Sequence, residues 1–274
     1  MLKELNIAVI GAGVMGEAMI GCLLKQNLVT PDRIVATDPR RERRDELERA
    51  LGVRTTDGNV EAAKWAQLAI LSVKPQTLPV LLPELRGTLG DGELVISIVA
   101  GATTRQLSEG MLHAAVVRSM PNTPAQIGEG MTVWTASDAV SEIQRGWAKT
   151  VLGSFGRELY VADESYLDMA TALSGTGPAY VFMMMEAMID AGVHMGFPRY
   201  MAEELVMQTI LGSVRYAQVT GRHAAELRNG VTSPGGTTAA AMYELEKGGL
   251  RTVLTDAIWA AYRRSIELGK GKTG

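Results

Sequence analysis

A single cysteine, Cys22, stands in 274 residues, so no disulfide can close within the chain, and the chain suits a reducing compartment. Cys22 lies in an apolar run with helical spacing, where a small buried side chain is its ordinary role. Histidine is nearly as scarce. His113, His194 and His223 are scattered, and none has a metal-ligand spacing. Aromatic residues make up 5% of the chain against fifteen methionines, a balance that favours adaptable helix packing. Neither sign of charge dominates. The formal net charge of -3 leaves no basic face to argue for nucleic acid. No apolar run reaches the roughly 18 residues of a membrane span. The nearest candidate, residues 179–195, is interrupted by Glu186 and Asp190. Met1-Leu2-Lys3-Glu4 runs straight into a strand pattern, so no signal peptide and a cytoplasmic location are expected. What remains is ordinary globular composition, 46% hydrophobic and 21% charged, with enough chain for two domains.

The first half alternates between two periods. Residues 5–10 form a short β-type run that enters Gly11-Ala12-Gly13-Val14-Met15-Gly16, and a helical pattern follows through Gln26. A second strand pattern, residues 33–37, ends at Asp38, about 20 residues past the glycines, as in a dinucleotide-binding βαβ unit. Gly11 permits the tight turn, Gly13 lets the backbone approach a pyrophosphate, and Gly16 lets the helix pack against the strand. Asp38 suits the free ribose hydroxyls of NAD and repels the 2′-phosphate of NADP. Arg40, Arg41, Arg43 and Arg44 follow it. They either hold that phosphate or pair with Glu42, Asp45, Glu46 and Glu48 along a helix ending at Leu51, so the sequence leaves NADPH and NADH both open.

Alternation continues with a helix over 59–66, a strand over 68–73 and a helix over 77–89. A strand over 94–99, a short helix capped by Thr103 or Thr104, and a strand over 114–118 come next. Residues 131–135 and 158–161 read as late edge strands flanking a helix over 138–152. Such alternation predicts an α/β domain with a Rossmann-type, doubly wound parallel sheet over residues 1–163. Ligands of these sheets sit past the carboxyl ends of the strands. That rule selects the glycine turn at 11–16, Ser72-Val73-Lys74-Pro75, Val99-Ala100-Gly101, and Met120-Pro121-Asn122-Thr123-Pro124. Lys74 is the one basic group among these turns, either a contact to a cofactor phosphate or ribose or an ordinary solvated lysine.

After Asp163 the strand patterns stop. Helices are expected over 165–173, 178–195, 199–220, 224–227, 235–247 and 253–268, which makes residues 164–274 an all-α domain. Tyr180-Val181-Phe182-Met183-Met184-Met185 is apolar on every face, so subunits are expected to intertwine there. Residues 270–274 read as a frayed tail.

Val231-Thr232-Ser233-Pro234-Gly235-Gly236-Thr237-Thr238 opens the fifth of these helices. Ser233 is the expected N-cap, Pro234 the first helical residue, and the glycines leave amides uncovered, an arrangement suited to a small carboxylate. Thr237 or Thr238 can then bond an acceptor nitrogen or oxygen. No Ser-His-Asp or Cys-His set is evident, so a reaction needing little acid–base help fits best, such as reduction of an imine that arrives protonated.

Five motifs now stand in order: the glycine turn, Val73-Lys74-Pro75, Met120-Pro121-Asn122-Thr123-Pro124, Leu173-Ser174-Gly175-Thr176-Gly177-Pro178-Ala179-Tyr180, and residues 231–238 continued through Tyr243-Glu244-Leu245-Glu246. In order and spacing the chain resembles pyrroline-5-carboxylate reductase over nearly its whole length. The resemblance implies reduction of 1-pyrroline-5-carboxylate to L-proline by NADPH or NADH, the last step of proline synthesis. It implies that Gly11, Ala12, Gly13 and Val14, with Met15 and Gly16 behind them, cradle the pyrophosphate, and that Asn59 lies near the adenosine ribose. Val73, Lys74, Pro75 and Ala100 would line the nicotinamide half. The amides of Gly235, Gly236 and Thr237, with Ser233, would hold the substrate carboxylate. Thr238 would bond the ring nitrogen and donate the proton, and Glu164 matches an acid near the substrate. A homodimer intertwined through the helical domain, assembled in many members into a decamer, is implied too, with no metal, nucleic-acid or membrane partner. Gly230 stands where many members carry a polar amide side chain, with Asn229 one place earlier. Asp38 stands where some carry a small hydroxyl residue.

Two other readings share the architecture. A β-hydroxyacid reductase would lean on a lysine of the helical domain, which offers only Lys247 before the tail. A nucleotide-sensing protein without catalysis would not need the intact turn at 232–238.

Overall fold

The computed structural model describes residues 2–269. It divides into two compact units. One holds the chain up to Pro178 together with the stretch from Ala261 on, and the other is Ala179–Ala260. The tail at 270–274 lies outside the described residues.

The first unit is built from strands and helices in turn. They run β1 Ile7–Ile10, α1 Val14–Lys25, β2 Ile34–Thr37, α2 Arg41–Leu51, β3 Arg54–Thr56, α3 Asn59–Trp65, β4 Leu68–Leu71, α4 Leu78–Glu84, β5 Leu94–Ser97, α5 Thr104–Met111, β6 Val116–Met120, β7 Gly130–Ala136, α6 Glu142–Gly153, β8 Gly156–Tyr160 and α7 Tyr166–Ala170. The eight strands pair in the order β3-β2-β1-β4-β5-β6-β7-β8. The order reverses between β1 and β4, and the crevice past that point is where such sheets take ligands.

Period-two alternation puts helices on both faces. Ile7, Val9, Ile34, Ala36, Leu68, Ile70, Leu94 and Ile96 bury against Met19, Ile20 and Leu23 of α1 and Val151 and Leu152 of α6. On the other face Ile10, Ala69, Leu71, Val95 and Val116 bury against Leu78, Leu81 and Leu82 of α4 and Leu107 and Met111 of α5. Cys22 is buried in the first of these layers, its thiol directed at the Ala125 carbonyl, and burial pushes its pKa up.

Four expectations need correction. The sheet is not parallel throughout, because β7 runs antiparallel to β6. Residues 121–129 are too few for the dozen or more that a parallel crossover needs. Nor is β7 an edge strand, since β8 pairs with it in parallel beyond. The strand β3, at the opposite edge, was not read from the sequence at all. It is three residues long and partly exposed. Finally α4 ends at Glu84 rather than 89. Pro83 lacks the N–H that would continue the ladder, and Gly87 turns left-handed at φ 67°.

After Tyr160 there is no strand among the described residues. A five-residue π turn, Thr171–Gly175, follows α7, closed by the Thr176 amide on the Thr171 carbonyl. Then come α8 Gly177–His194, α9 Arg199–Thr220, α10 Ala224–Gly230, α11 Thr237–Lys247 and α12 Leu250–Gly269. The apolar run on α8 is uncovered within the chain: Phe182 is 59% and Met183 73% exposed. No described helix is long and apolar enough to cross a membrane.

Candidate active site

The glycine turn links β1 to α1 at the switch point. Gly11 has φ 86°, and a Cβ there would stand 2.5 Å from Val73 Cγ1 and 3.0 Å from the Ser72 carbonyl oxygen. Its amide and that of Ala12 both donate to the Thr37 carbonyl, which fixes the turn to the end of β2. Gly16 packs as its position requires: an added Cβ would sit 3.0 Å from the Gly11 carbonyl and 3.1 Å from Val9 Cγ1. Gly13 is different. It caps α1 with no side-chain hydrogen bond, and a Cβ on it would meet nothing within 4 Å. The amides of Val14 and Met15 have no acceptor among the described residues. An open surface beneath bare N–H groups at a helix start is what a pyrophosphate fits.

Beside this turn Gly11, Thr37, Asn59, Val73 and Glu84 line a cavity of about 180 Å³. A hydrogen-bonded chain runs along it. Gly11 N donates to Thr37 Oγ1 at 3.1 Å, Thr37 Oγ1 donates to Asn59 Oδ1 at 2.7 Å, and Asn59 Nδ2 donates to Glu84 Oε2 at 3.1 Å. Thr37 was overlooked in the sequence, although a hydroxyl at the end of the second strand is a visible signal.

Asp38 is buried at 7% exposure and accepts from the Arg40 amide at 3.0 Å and from Arg40 Nε at 3.1 Å. That pairing pushes the Arg40 guanidinium further up from its usual value. Arg41 pairs with Asp45 and Arg43 with Glu46, as expected. Arg43 does more. Its Nε donates to the Ala12 carbonyl at 3.1 Å and its Nη2 to Glu17 at 2.6 Å, so it belongs to the glycine turn. Arg44 departs from expectation and pairs with Asp57 while donating to the Asp38 carbonyl.

Val73, Lys74 and Pro75 follow β4, with Lys74 exposed. Ala100 follows β5 and is half-buried, next to Gly101 at φ 75°. Of the two threonines proposed to cap α5, Thr103 does so, accepting from Gln106 N. Thr104 instead gives its amide and hydroxyl to Glu164, at 2.7 and 2.8 Å. Glu164 also accepts from Arg118 Nη1 at 3.1 Å, and Arg118 Nη2 donates to Asp168 at 3.1 Å. Arg118 is 4% exposed, a buried cation held by two carboxylates. It was passed over in the sequence, where an arginine ending an apolar strand run was the available signal. The fourth motif meets the third here. Asn122 Nδ2 donates to the Ser174 carbonyl, and a Cβ on Gly175 would strike Met120 Cε.

Residues 233–238 belong to the second unit, and one expectation fails there. Gly236, not Ser233, is the N-cap of α11, and no side chain caps that helix. The Gly236 amide instead closes a turn on the Ser233 carbonyl at 3.1 Å, with Pro234 second and Gly235 third at φ 69°. Proline fixes the second position of such a turn and glycine supplies the left-handed third. Ser233 Oγ therefore stays off the helix, lying 2.5 Å from where a Cβ on Gly236 would stand. The hydroxyls of Ser233, Thr237 and Thr238 make no hydrogen bond among the described residues, whereas Thr232 bonds the Arg228 carbonyl. An uncapped helix start with three free hydroxyls beside it presents the donors and dipole that suit an anion.

The chain is similar to known proteins over nearly its whole length. Residues 164–268 match the family described as pyrroline-5-carboxylate reductase dimerisation, and residues 6–101 match NADP oxidoreductase, coenzyme F420-dependent. A pyrroline-5-carboxylate reductase of Synechocystis is 41% identical over 97% of this chain and 99% of its own length. The Plasmodium falciparum pyrroline carboxylate reductase with NADP bound superposes with a TM-score of 0.90 at 29% identity, covering 98% of this chain and all of that one. A pyrroline-5-carboxylate reductase of Coxiella burnetii gives a TM-score of 0.87 at 36% identity over 98% and 99% of the two chains. With relatives of that identity matched from end to end, the chain belongs to the pyrroline-5-carboxylate reductase family.

Proposed function

We propose that this protein reduces 1-pyrroline-5-carboxylate to L-proline with NADPH or NADH, the final step of proline synthesis. The observation that carries the reading is the turn at 233–238. Its helix start has no cap of its own, and its hydroxyls are free. A small cyclic imine bearing a carboxylate needs just these: anion donors on one side and one hydroxyl near the ring nitrogen. The amides of Gly235 and Thr237 with Ser233 Oγ hold the carboxylate, while Gly236, lacking a Cβ, leaves room for that hydroxyl. Thr238 holds a proton at Oγ1 for the ring nitrogen. Glu164 is the acid on the substrate side, hydrogen-bonded by Arg118 and Thr104.

The bound nicotinamide supplies the hydride. The chain supplies position and electrostatics. Gly11, Ala12 and Gly13 shape the turn, and the amides of Val14 and Met15 meet the pyrophosphate, with Gly16 packing the helix close. Asn59 faces the adenosine ribose from the cavity beside Gly11. Val73, Lys74, Pro75 and Ala100 flank the nicotinamide half. Asp38, already neutralised by Arg40, leaves both donors usable, because a 2′-phosphate can draw Arg40 away from its carboxylate.

Dimerisation and substrate binding fall to residues 164–268, the stretch that matches the dimerisation family. The exposed apolar face of α8 is covered by a second copy, in a homodimer that can assemble into a decamer. The protein works in the cytoplasm on a small molecule, without nucleic acid, membrane or metal. Oxidation of NADPH and NADH, followed with the cyclic imine as acceptor, tests the reaction. Turnover with either cofactor is expected. Cofactor binding with no turnover would point to a sensing protein instead. Native mass in solution tests self-association, and a monomer at micromolar concentration would overturn it.

A further inference from the structure

The helix α12 crosses from one compact unit to the other. Its residues from Ala261 on belong to the first unit and end against the turn that follows β5. Two contacts tie them there. Ser265, 2% exposed, donates from Oγ to Asp168 Oδ1 at 2.7 Å. Asp168 holds Arg118, Arg118 holds Glu164, and both oxygens of Glu164 hold Thr104. The second contact is backbone on backbone. A Cβ on Gly101 would stand 3.0 Å from the Gly269 amide nitrogen, and a Cβ on Gly269 would stand 2.9 Å from the Gly101 carbonyl oxygen.

Ala100 and Gly101 thus lie in a turn fixed from both directions. Thr104 is held through the buried ion network, and Gly101 is held by the last described residue of α12. We propose that Ser265 and Gly269 are positioning residues for the nicotinamide half of the cofactor site, acting through the turn at 100–104. Neither residue needs to touch the cofactor. They keep a turn that contains a left-handed glycine from relaxing away from it. This inference rests on the reading that Ala100 lines the nicotinamide.

The test compares whole cofactor with a fragment lacking its nicotinamide. Binding of NADPH and of 2′-phospho-ADP-ribose is titrated on the full-length protein and on Ser265→Ala and Gly269→Ala, with the melting temperature of each. Ser265→Ala removes one hydrogen bond, and Gly269→Ala pushes a methyl at the Gly101 carbonyl, so the two perturb the turn independently. Each is expected to weaken NADPH by about threefold to tenfold, the usual range for residues acting through a network, and to leave the fragment within about twofold. KM for NADPH should rise with it while KM for the imine does not.

Equal weakening of NADPH and the fragment, or a lower melting temperature with both affinities unchanged, overturns the proposal and leaves the contacts merely structural. Ala100→Leu separates this from failure of the underlying reading. If Ala100→Leu weakens NADPH but not the fragment while the two distal variants change neither, the positioning role of Ser265 and Gly269 alone is wrong. If Ala100→Leu changes neither ligand, the nicotinamide does not lie on this turn, and the positioning role of Ser265 and Gly269 falls with that reading.

Discussion

Gly11 and Gly13 are two residues apart and identical in the sequence, and the structure predicts opposite consequences for the same substitution. Gly11→Ala must place a methyl 2.5 Å from Val73 Cγ1 while holding φ at 86°. The left-handed backbone costs an alanine about 1–2 kcal/mol. Forcing a methyl against a β-branched side chain adds about 1–3 kcal/mol, because valine has little rotamer freedom to yield. The less flexible unfolded chain returns under about 1 kcal/mol. A net loss of about 2–4 kcal/mol should lower Tm by about 5–15 °C. Gly13→Ala meets no atom within 4 Å, and Gly13 sits at φ −70°, where alanine is at ease. The poorer N-cap and the stiffer unfolded chain nearly cancel, so its stability should stay within about 1 kcal/mol of the parent. Its methyl instead fills the face where a pyrophosphate must come close, and NADPH affinity should fall about tenfold or more. Scanning calorimetry and a cofactor titration, both at one protein concentration, read the two effects separately. If Gly13→Ala melts early with cofactor affinity intact, Gly13 is a packing glycine and the cradle is misplaced.

Thr238→Ala should reduce kcat far more than it weakens NADPH, because the proposed function sets its hydroxyl at the ring nitrogen and not at the cofactor; an unchanged kcat removes Thr238 from the reaction. Asp38→Ser takes a carboxylate out of reach of the 2′-phosphate and frees Arg40 from its pair. Preference should then move toward NADPH by about 1–2 kcal/mol, about tenfold in the ratio of kcat/KM values. An unaltered ratio means that Arg40 already serves the phosphate in the parent protein.

The half of the fold with strong patterns was legible. The buried strands β1 and β4 are apolar throughout, β2 and β5 are apolar up to their last residues, Thr37 and Ser97, and the glycines of the first turn have no other common use in that context. What escaped was set by distance along the chain or by weak local signal. The antiparallel step at β7 follows from the nine residues between Met120 and Gly130, a count available beforehand. The strand β3 had a cue in Thr55 and Thr56, two β-branched residues, but three residues carry no visible period. Arg118 could be seen as polar at the end of a strand, yet its partners Glu164 and Asp168 lie 46 and 50 positions on. Only the folded chain brings them together.

The misjudged N-cap at Ser233 bears most directly on function. A serine that caps its own helix has its oxygen engaged by a backbone amide and offers that amide to nothing else. The left-handed Gly235 moves the helix start to Thr237, so the turn closes through the Ser233 carbonyl and the hydroxyl is released. The two roles have different signatures in one variant. As a cap, Ser233→Ala would lose about 1 kcal/mol of stability. As a free donor at an anion site, it should melt like the parent while KM for the imine rises about tenfold, the value of one hydrogen bond to a charged group. Proline inhibition should weaken in parallel, because the product carries the same carboxylate. A variant that melts early and binds imine normally would return Ser233 to the helix and leave the carboxylate without its hydroxyl.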